Sequence, residues 1–262
     1  MIFGIVLPGA LAVAGVCAIA IAMMRKRGEK LFEKYNSFTQ SAINEHFQLR
    51  DHPVKAEYRV LHPAKAMKLI KIAVESKTSE ELERVNTLDA TIFGFMKMFT
   101  LLIRPSYSYN LPVFSVDIIF VGKKRVFIVE LIDPAAIQDE NKDFYYNEMR
   151  KHTKDLEKFE ASGTNSEWAK AYLADFSIHI KADEGDDDVL FQIYQSYLAN
   201  YLKMASAAPK LKDEEAALLK KGLENYVSDL IGKGGPAVDV FKKLLGPEKQ
   251  TEYVRSILFG LE

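Results

Sequence analysis

Hydrophobic and polar positions follow different rhythms along the chain. The first 24 residues carry no charged side chain, a length that spans a bilayer core as a helix at ~1.5 Å per residue. Arg25, Lys26 and Arg27 follow at once, and a basic flank on the C-terminal side places the body on the cytoplasmic side. Ala18-Ile19-Ala20 and Ala20-Ile21-Ala22 resemble the small-residue sites of a cleaved leader. The basic start and shorter apolar stretch of such a leader are missing, so residues 1–24 are expected to form a single-pass transmembrane anchor.

Beyond the anchor, Leu31, Phe32, Tyr35, Phe38, Ala42 and Phe47 recur at helical spacing, which predicts an amphipathic juxtamembrane helix within residues 25–50. Leu69 to Val74 is apolar and β-branched and suits either a strand or a helix. The apolar runs Phe93–Ile103, Val113–Val121 and Arg125–Ile132 are bounded by Arg104-Pro105, Gly122-Lys123-Lys124 and Asp133-Pro134. They predict consecutive strands of an antiparallel meander. After Pro134 the rhythm turns helical: Phe144–Phe159, Val189–Ala208, Asp213–Ile231 with Asp213 as N-cap, Ala237–Leu245 and Glu248–Phe259. A central sheet with helices before and after it predicts the α/β class. Residues 51–262 are expected to form one three-layer α/β/α sandwich around an antiparallel sheet.

Composition narrows the chemistry. Lys+Arg 35 against Asp+Glu 36 leaves a net charge of −1, which argues against general nucleic-acid binding. The single cysteine, Cys17, lies in the apolar N-terminus. The body therefore offers no disulfide, thiolate metal site or cysteine nucleophile. No phosphate-cradling Gly-rich loop follows a strand, and no serine nucleophile elbow is present. The five histidines, among them His179, are scattered. Glu148 and His152 share a helix face, but a pair of ligands makes no metal site. The acidic run Asp183–Asp188 is expected to be a solvated loop.

One residue does not suit its surroundings. Asp117 lies in the middle of Val113–Val121, on one strand face with Val113, Ser115, Ile119 and Val121. A carboxylate among apolar neighbours is costly unless paired or protonated, and desolvation raises its pKa. That is how a protein keeps an acid ready to donate a proton near neutrality. A Lys123-Lys124 loop would place Glu130 of the next strand directly opposite Asp117, whereas a three-residue loop would separate them. The alternative is that both carboxylates face solvent or bind a lysine or arginine.

The stretch Arg104-Pro105-Ser106-Tyr107-Ser108-Tyr109-Asn110-Leu111-Pro112-Val113-Phe114-Ser115-Val116-Asp117 resembles the signature of the ferredoxin-dependent bilin reductases. Asp133-Pro134 near Glu130 is similar to the acidic strand end of that family. Trp168 with Asp175-Phe176-Ser177, the Tyr-rich stretch Tyr194–Pro209 and the closing Leu245–Phe259 resemble its later segments in the same order. The resemblance implies a linear tetrapyrrole such as biliverdin bound between the sheet and the C-terminal helices. It also implies single electrons from reduced ferredoxin, no permanently bound cofactor, and protons from side chains.

Under that resemblance Asp117 falls on the catalytic aspartate, Glu130 is a candidate partner, and Thr100, Tyr109, Phe114 and Ser115 are candidate substrate-binding residues. Thr100 stands where the family carries a pocket His or Asn, Ser115 stands where it carries Gly, and Gly234-Gly235 stands where it carries an Asn-Asp pair. These departures keep open a second reading, a non-catalytic tetrapyrrole carrier or sensor on the same fold. Lys123-Lys124-Arg125, Lys220-Lys221 and Lys242-Lys243 are candidate contacts for an acidic electron donor. The anchor carries its own expected outcome: the chain sediments with membranes, and deleting residues 1–24 releases it. A wild-type chain found wholly in the supernatant would exclude the anchor.

Overall fold

A computed structural model describes residues 8–62, 70–164 and 166–261, with the side chains of 8–18, 236 and 237 outside the description. A long helix α1 (Pro8–His46) comes first. Short elements β1 (Arg50–Asp51), α2 (Ala56–Arg59) and β2 (Val60–Leu61) lead into the sheet. The main strands are β3 (Ile70–Thr78), β4 (Leu82–Ile92), β5 (Met96–Pro105), β6 (Val113–Val121) and β7 (Lys124–Ile132). Helices α3 (Glu140–Arg150) and α4 (Thr153–Leu156) precede β8 (Glu160–Ala161) and β9 (Ile178–Asp183). The chain closes with α5 (Asp187–Ser206), α6 (Asp213–Lys233), α7 (Pro236–Leu245) and α8 (Pro247–Glu252), which runs into a π-helical turn, Tyr253–Leu258.

The nine strands form one antiparallel sheet in the order β1-β3-β4-β5-β6-β7-β9-β8, with β2 paired to β3 off that path. The expected meander is present and extends from β3 to β7. Helices α1, α3 and α5 cover one face, and α6, α7 and α8 cover the other. The first interface is closed and aromatic. Tyr35 of α1 sits edge-on to Tyr194 and Phe191 of α5 at 5.1 and 5.0 Å and tilts over Phe99 of β5 at 5.9 Å. The buried faces of α1 and α5 are those their helical spacing predicts.

Several expectations change. The helix α1 is continuous through residue 24, and its C-terminal half packs as an integral layer of the sandwich through Phe32, Tyr35 and Ile43. Among the described residues no helix is long and apolar enough to cross a membrane. The fold therefore lends the transmembrane anchor no support; residues 1–7 lie outside the described residues altogether, as do the side chains of 8–18. Leu69 to Val74 resolves as strand from Ile70, the earlier residue lying outside the description. Phe93 to Phe95 forms the β4–β5 turn rather than strand, with Phe93 at φ 54° and Gly94 at φ 74°. The helix expected over Phe144–Phe159 starts earlier, at Glu140, and breaks after Arg150. Asp213 is the first residue of α6 rather than its cap; the Lys212 backbone N–H caps back onto Glu215.

The acidic run is a helical turn leading into α5 rather than a loop; Asp183 and Asp188 stay exposed, as expected, but the run is ion-paired. Asp183 pairs with Lys124, Glu184 with Arg27 and Lys123, and Asp188 with Lys34. Asp187 opens α5, where a negative charge suits the helix dipole. It binds the buried guanidinium of Arg125 through both oxygens, at 2.6 and 3.0 Å. Arg125 also donates to the carbonyls of Gly122 and Lys124, so the hairpin, the acidic turn and α5 share one fastening. Removing one partner strands a buried charge. Asp187→Ala is expected to lower stability by about 3 kcal/mol, read as a fall in the urea midpoint; an unchanged midpoint would exclude this role.

Candidate active site

Strand β6 is bonded to β5 on one side and β7 on the other, and the alternation of its side chains decides the site. Val116, Ile118 and Phe120 are buried towards α1 and α5, while Ser115, Asp117 and Ile119 turn to the opposite face and are only half-buried. That face does not close onto the C-terminal helices. A cavity of about 320 Å³ separates them, within the range of small-molecule sites. Met98, Asp117, Ile119, Ile128, Glu130 and His179 form the floor, and Tyr226, Leu230, Val238 and Phe241 of α6 and α7 form the roof. Trp168 stands at one side, its ring 5.9 Å from that of Tyr226 and its Nε1 donating to the Gly234 carbonyl at 3.2 Å.

The charged floor is a ladder across the sheet. Thr100 of β5 lies opposite Asp117, Asp117 opposite Ile128 of β7, and Ile128 opposite His179 of β9. The Thr100 hydroxyl donates to Asp117 Oδ1. Burial pushes the Asp117 carboxyl upward, and the Thr100 bond pulls weakly the other way. Glu130 is pushed up to about 8, mainly by burial and then by the charge of Asp117. His179 is pushed down to about 4 by burial. Its Nε2 stands 3.3 Å from Glu130 Oε1. At neutral pH these directions make Glu130 a neutral acid beside a neutral imidazole rather than an ion pair.

Asp117 and Glu130 are thus on one face, but not directly opposite. The turn residues are Gly122 and Lys123, so Val121 pairs with Lys124 and Glu130 lies across from Ser115. A two-residue hairpin turn of this kind needs left-handed backbone at its first position, and Gly122 supplies it at φ 58°. The expected Lys123-Lys124 loop would have required a side-chain-bearing residue there. The actual register is displaced by a two-residue step, which keeps both carboxyls on the cavity face and sets them diagonally.

The other candidates divide between the two faces. Thr100 reaches the site through Asp117, and Ser115 lies on the cavity side of β6. Phe114 has the opposite parity and is buried on the α5 side, stacked on Tyr201 at 4.8 Å. Tyr109 is buried in that same core and bridges to Lys210. The fold therefore does not bring Phe114 and Tyr109 to the cavity. Asp133 at the strand end binds Lys142 and Tyr146, each at 2.9 Å, and holds α3 to the sheet. Gly235, where the resemblance finds no carboxylate, does line the cavity. Among the described residues no group of three His, Cys, Asp or Glu side chains could hold a metal. Sequence reasoning missed His179, Tyr226 and Thr164. The alternation Ile178-His179-Ile180-Lys181-Ala182 carried the signal for a half-buried strand and for its histidine.

Fold and cavity together define an α/β/α sandwich whose sheet presents ionisable groups to a largely apolar chamber. The sequence profile described as ferredoxin-dependent bilin reductase matches residues 37–260, and the chain belongs to that family of oxidoreductases. It is 26% identical over 191 residues to the 15,16-dihydrobiliverdin:ferredoxin oxidoreductase of Nostoc punctiforme, covering 69% of this chain and 75% of the relative. It is 20% identical to the phycoerythrobilin:ferredoxin oxidoreductase of Gloeobacter violaceus, covering 88% and 96%. The crystal structure of phytochromobilin synthase from tomato, in complex with biliverdin, superposes with a TM-score of 0.74 at 16% identity. It covers 87% of this chain and 83% of that one. At that identity the likeness shows the fold.

The raised carboxyls have a consequence for stability. Between the ordinary glutamate pKa of 4.5 and its folded value of about 8, the native state binds more protons at Glu130 than the unfolded chain does. Stability therefore falls as pH rises through that window, and the raised Asp117 adds in the same direction. Glu130→Gln is expected to flatten the fall between pH 5 and 9, an effect of a few kcal/mol at most. Thermal unfolding across that range checks it; parallel curves for variant and wild type would refute the burial of an acid there.

Proposed function

We propose that this chain reduces a linear tetrapyrrole with electrons from ferredoxin, Asp117 donating a proton to the bound pigment and Glu130 assisting. Membership of the family and the relatives' activities support the reaction type. The observation that carries the residue assignment is Asp117 itself: a carboxyl raised by burial, at the middle of the cavity floor, with Thr100 as its hydrogen-bond partner.

The chemistry demands such a group. Reducing one double bond adds two electrons and two protons, and ferredoxin carries only the electrons, one at a time. The walls of the cavity are mainly apolar, so a bound pigment would displace water and take its protons from side chains. Asp117 and Glu130 are the carboxyls on the floor. A neutral acid can donate, and the carboxylate left behind stabilises a positive charge on the pigment in the same apolar site. Tyr226 of α6 faces both carboxyls from the roof, and its hydroxyl is raised well above the usual tyrosine range by burial and by their charges. It stays protonated, a hydroxyl available to donate to a bound pigment.

For the electron donor, Lys220 and Lys221 on α6 and Lys242 and Lys243 on α7 are exposed on the helices that roof the cavity. Lys123, Lys124 and Arg125 are instead engaged by Glu184, Asp183 and Asp187. An acidic ferredoxin would dock on the former set, with a salt-dependent on-rate. Attachment to a membrane through residues 1–24, with the body on the cytoplasmic side, is a reading of the sequence alone, supported by the uncharged stretch ahead of Arg25.

The test is an absorbance titration with biliverdin followed by a ferredoxin reducing system in the same cuvette. Binding shifts the spectrum, and turnover replaces it with that of a product. Asp117→Asn is expected to cut reduction by at least about 100-fold while leaving the titration unchanged; wild-type turnover in that variant would sink the assignment. A stable shift without turnover in the wild type would instead establish the carrier reading, which Thr100 and Gly235 at the family's pocket positions favour.

A further inference from the structure

His179 has no part in the donation just described, yet its two ring nitrogens face in different directions. Nε2 points to Glu130 Oε1 at 3.3 Å and is buried without a hydrogen-bond partner. Nδ1 lies 3.2 Å from Thr164 Oγ1, and that hydroxyl lies 2.6 Å from Ser162 Oγ. β9 is the last long strand, and only the two-residue β8 lies beyond it. Ser162 follows β8 directly, and its backbone N–H donates to the His179 carbonyl at 2.9 Å, which holds the two hydroxyls alongside the ring. Ser162 and Thr164 are half-buried, while Ala161 and Gly163 beside them are exposed. The groups therefore run from Glu130 on the cavity floor, across a 3.3 Å approach to His179, and then by hydrogen bonds through Thr164 on the cavity wall to Ser162 at the edge of the sheet.

We propose that His179, Thr164 and Ser162 form a proton inlet that refills Glu130 from solvent between turnovers. The need for it rests on the reduction proposed above. A floor that gives up protons to a pigment must recover them, and the pigment itself covers the cavity side. Once Glu130 is a carboxylate, water donates through Ser162 and the Thr164 hydroxyl to His179 Nδ1, and the ring passes its Nε2 hydrogen to Glu130, so the imidazole never carries a negative charge. One proton moves from solvent to Glu130, no electron moves, and a flip of the ring returns its hydrogen to Nε2. His179 acts through Glu130 and not on the pigment.

The lowered imidazole and the raised carboxyl suit this work, because neither holds a permanent charge that would trap the proton. The titratable groups that face Glu130 are Asp117 from β6, His179 from β9 and Tyr226 from α6, whereas α7 presents Val238, Val240 and Phe241.

The test separates the inlet from the reduction by using the pigment-free protein first. With Glu130 charged, Nε2 must carry the imidazole hydrogen; with Glu130 protonated, Nε2 can accept one. Nitrogen NMR of histidine-labelled full chain, with His179 assigned by its loss in His179→Gln, should show the tautomer population changing with a midpoint near 8. Glu130→Gln should abolish that change. A tautomer constant through this range overturns the inlet, whatever the protein does to biliverdin. In the reductase assay, His179→Gln and Thr164→Val should slow multiple turnover about tenfold and shift its pH profile, with biliverdin affinity within about twofold of wild type. A pH profile that superimposes on the wild type overturns the inlet as well. A wild-type protein that binds no biliverdin and reduces none condemns the functional reading alone, and the NMR titration then decides the inlet by itself.

Discussion

The register between β6 and β7 is the constraint on which the site depends. Gly122 adopts a left-handed backbone at the first position of the turn, and this choice pairs Val121 with Lys124. Asp117 and Glu130 consequently share a face, and Thr100 of β5 completes the contact from the other side. A slip by one residue would turn one carboxyl into the aromatic core. A slip by two would keep the face and change the spacing between the acids. The register is itself secured by Arg125, which binds both the turn carbonyls and Asp187 at the head of α5.

The two sides of the sheet do different work because they are packed differently. On the α1 and α5 side, tyrosines and phenylalanines interlock ring on ring, and Lys97 ties α1 to the sheet through Glu29 and Asp89. On the other side the helices are held mainly at the margins. Asn86 of β4 donates to the carbonyls of Ile257 and Leu258, and Arg104 of β5 donates to those of Phe259 and Gly260. Between these fixings and the Trp168–Tyr226 contact the roof stands away from the sheet, and the cavity is what remains.

Within that cavity, desolvation does to carboxyls and imidazole opposite things with one result. It raises Asp117 and Glu130 and lowers His179, so each shift is toward the neutral form. A neutral Glu130 beside a neutral His179 can give and receive protons without first breaking an ion pair. Asp133, by contrast, meets Lys142 and serves the architecture. The same residue type has two fates, in the middle of β6 and just past the end of β7, decided by whether a cation is in reach.

Much of this was legible along the chain. Alternation in Val113–Val121 and Arg125–Ile132 marked the central hairpin and singled out Asp117 as an acid in an apolar strand. The 3.6-residue rhythm marked the buried faces of α1 and α5. Strand β4 was not legible, because Arg84, Asn86, Thr87 and Asp89 interrupt its apolar pattern; their partners, such as the Ile257 and Leu258 carbonyls for Asn86, come from far along the chain. His179 was hidden for the same reason. A histidine acquires its chemistry from what lies across the sheet, and only the pairing of β9 with β7 brings it to Glu130. Local periodicity records which way a side chain points, since backbone geometry alone sets that. Which groups meet, and whether they meet in water or out of it, depends on long-range pairing and burial, and these the tertiary structure alone decided.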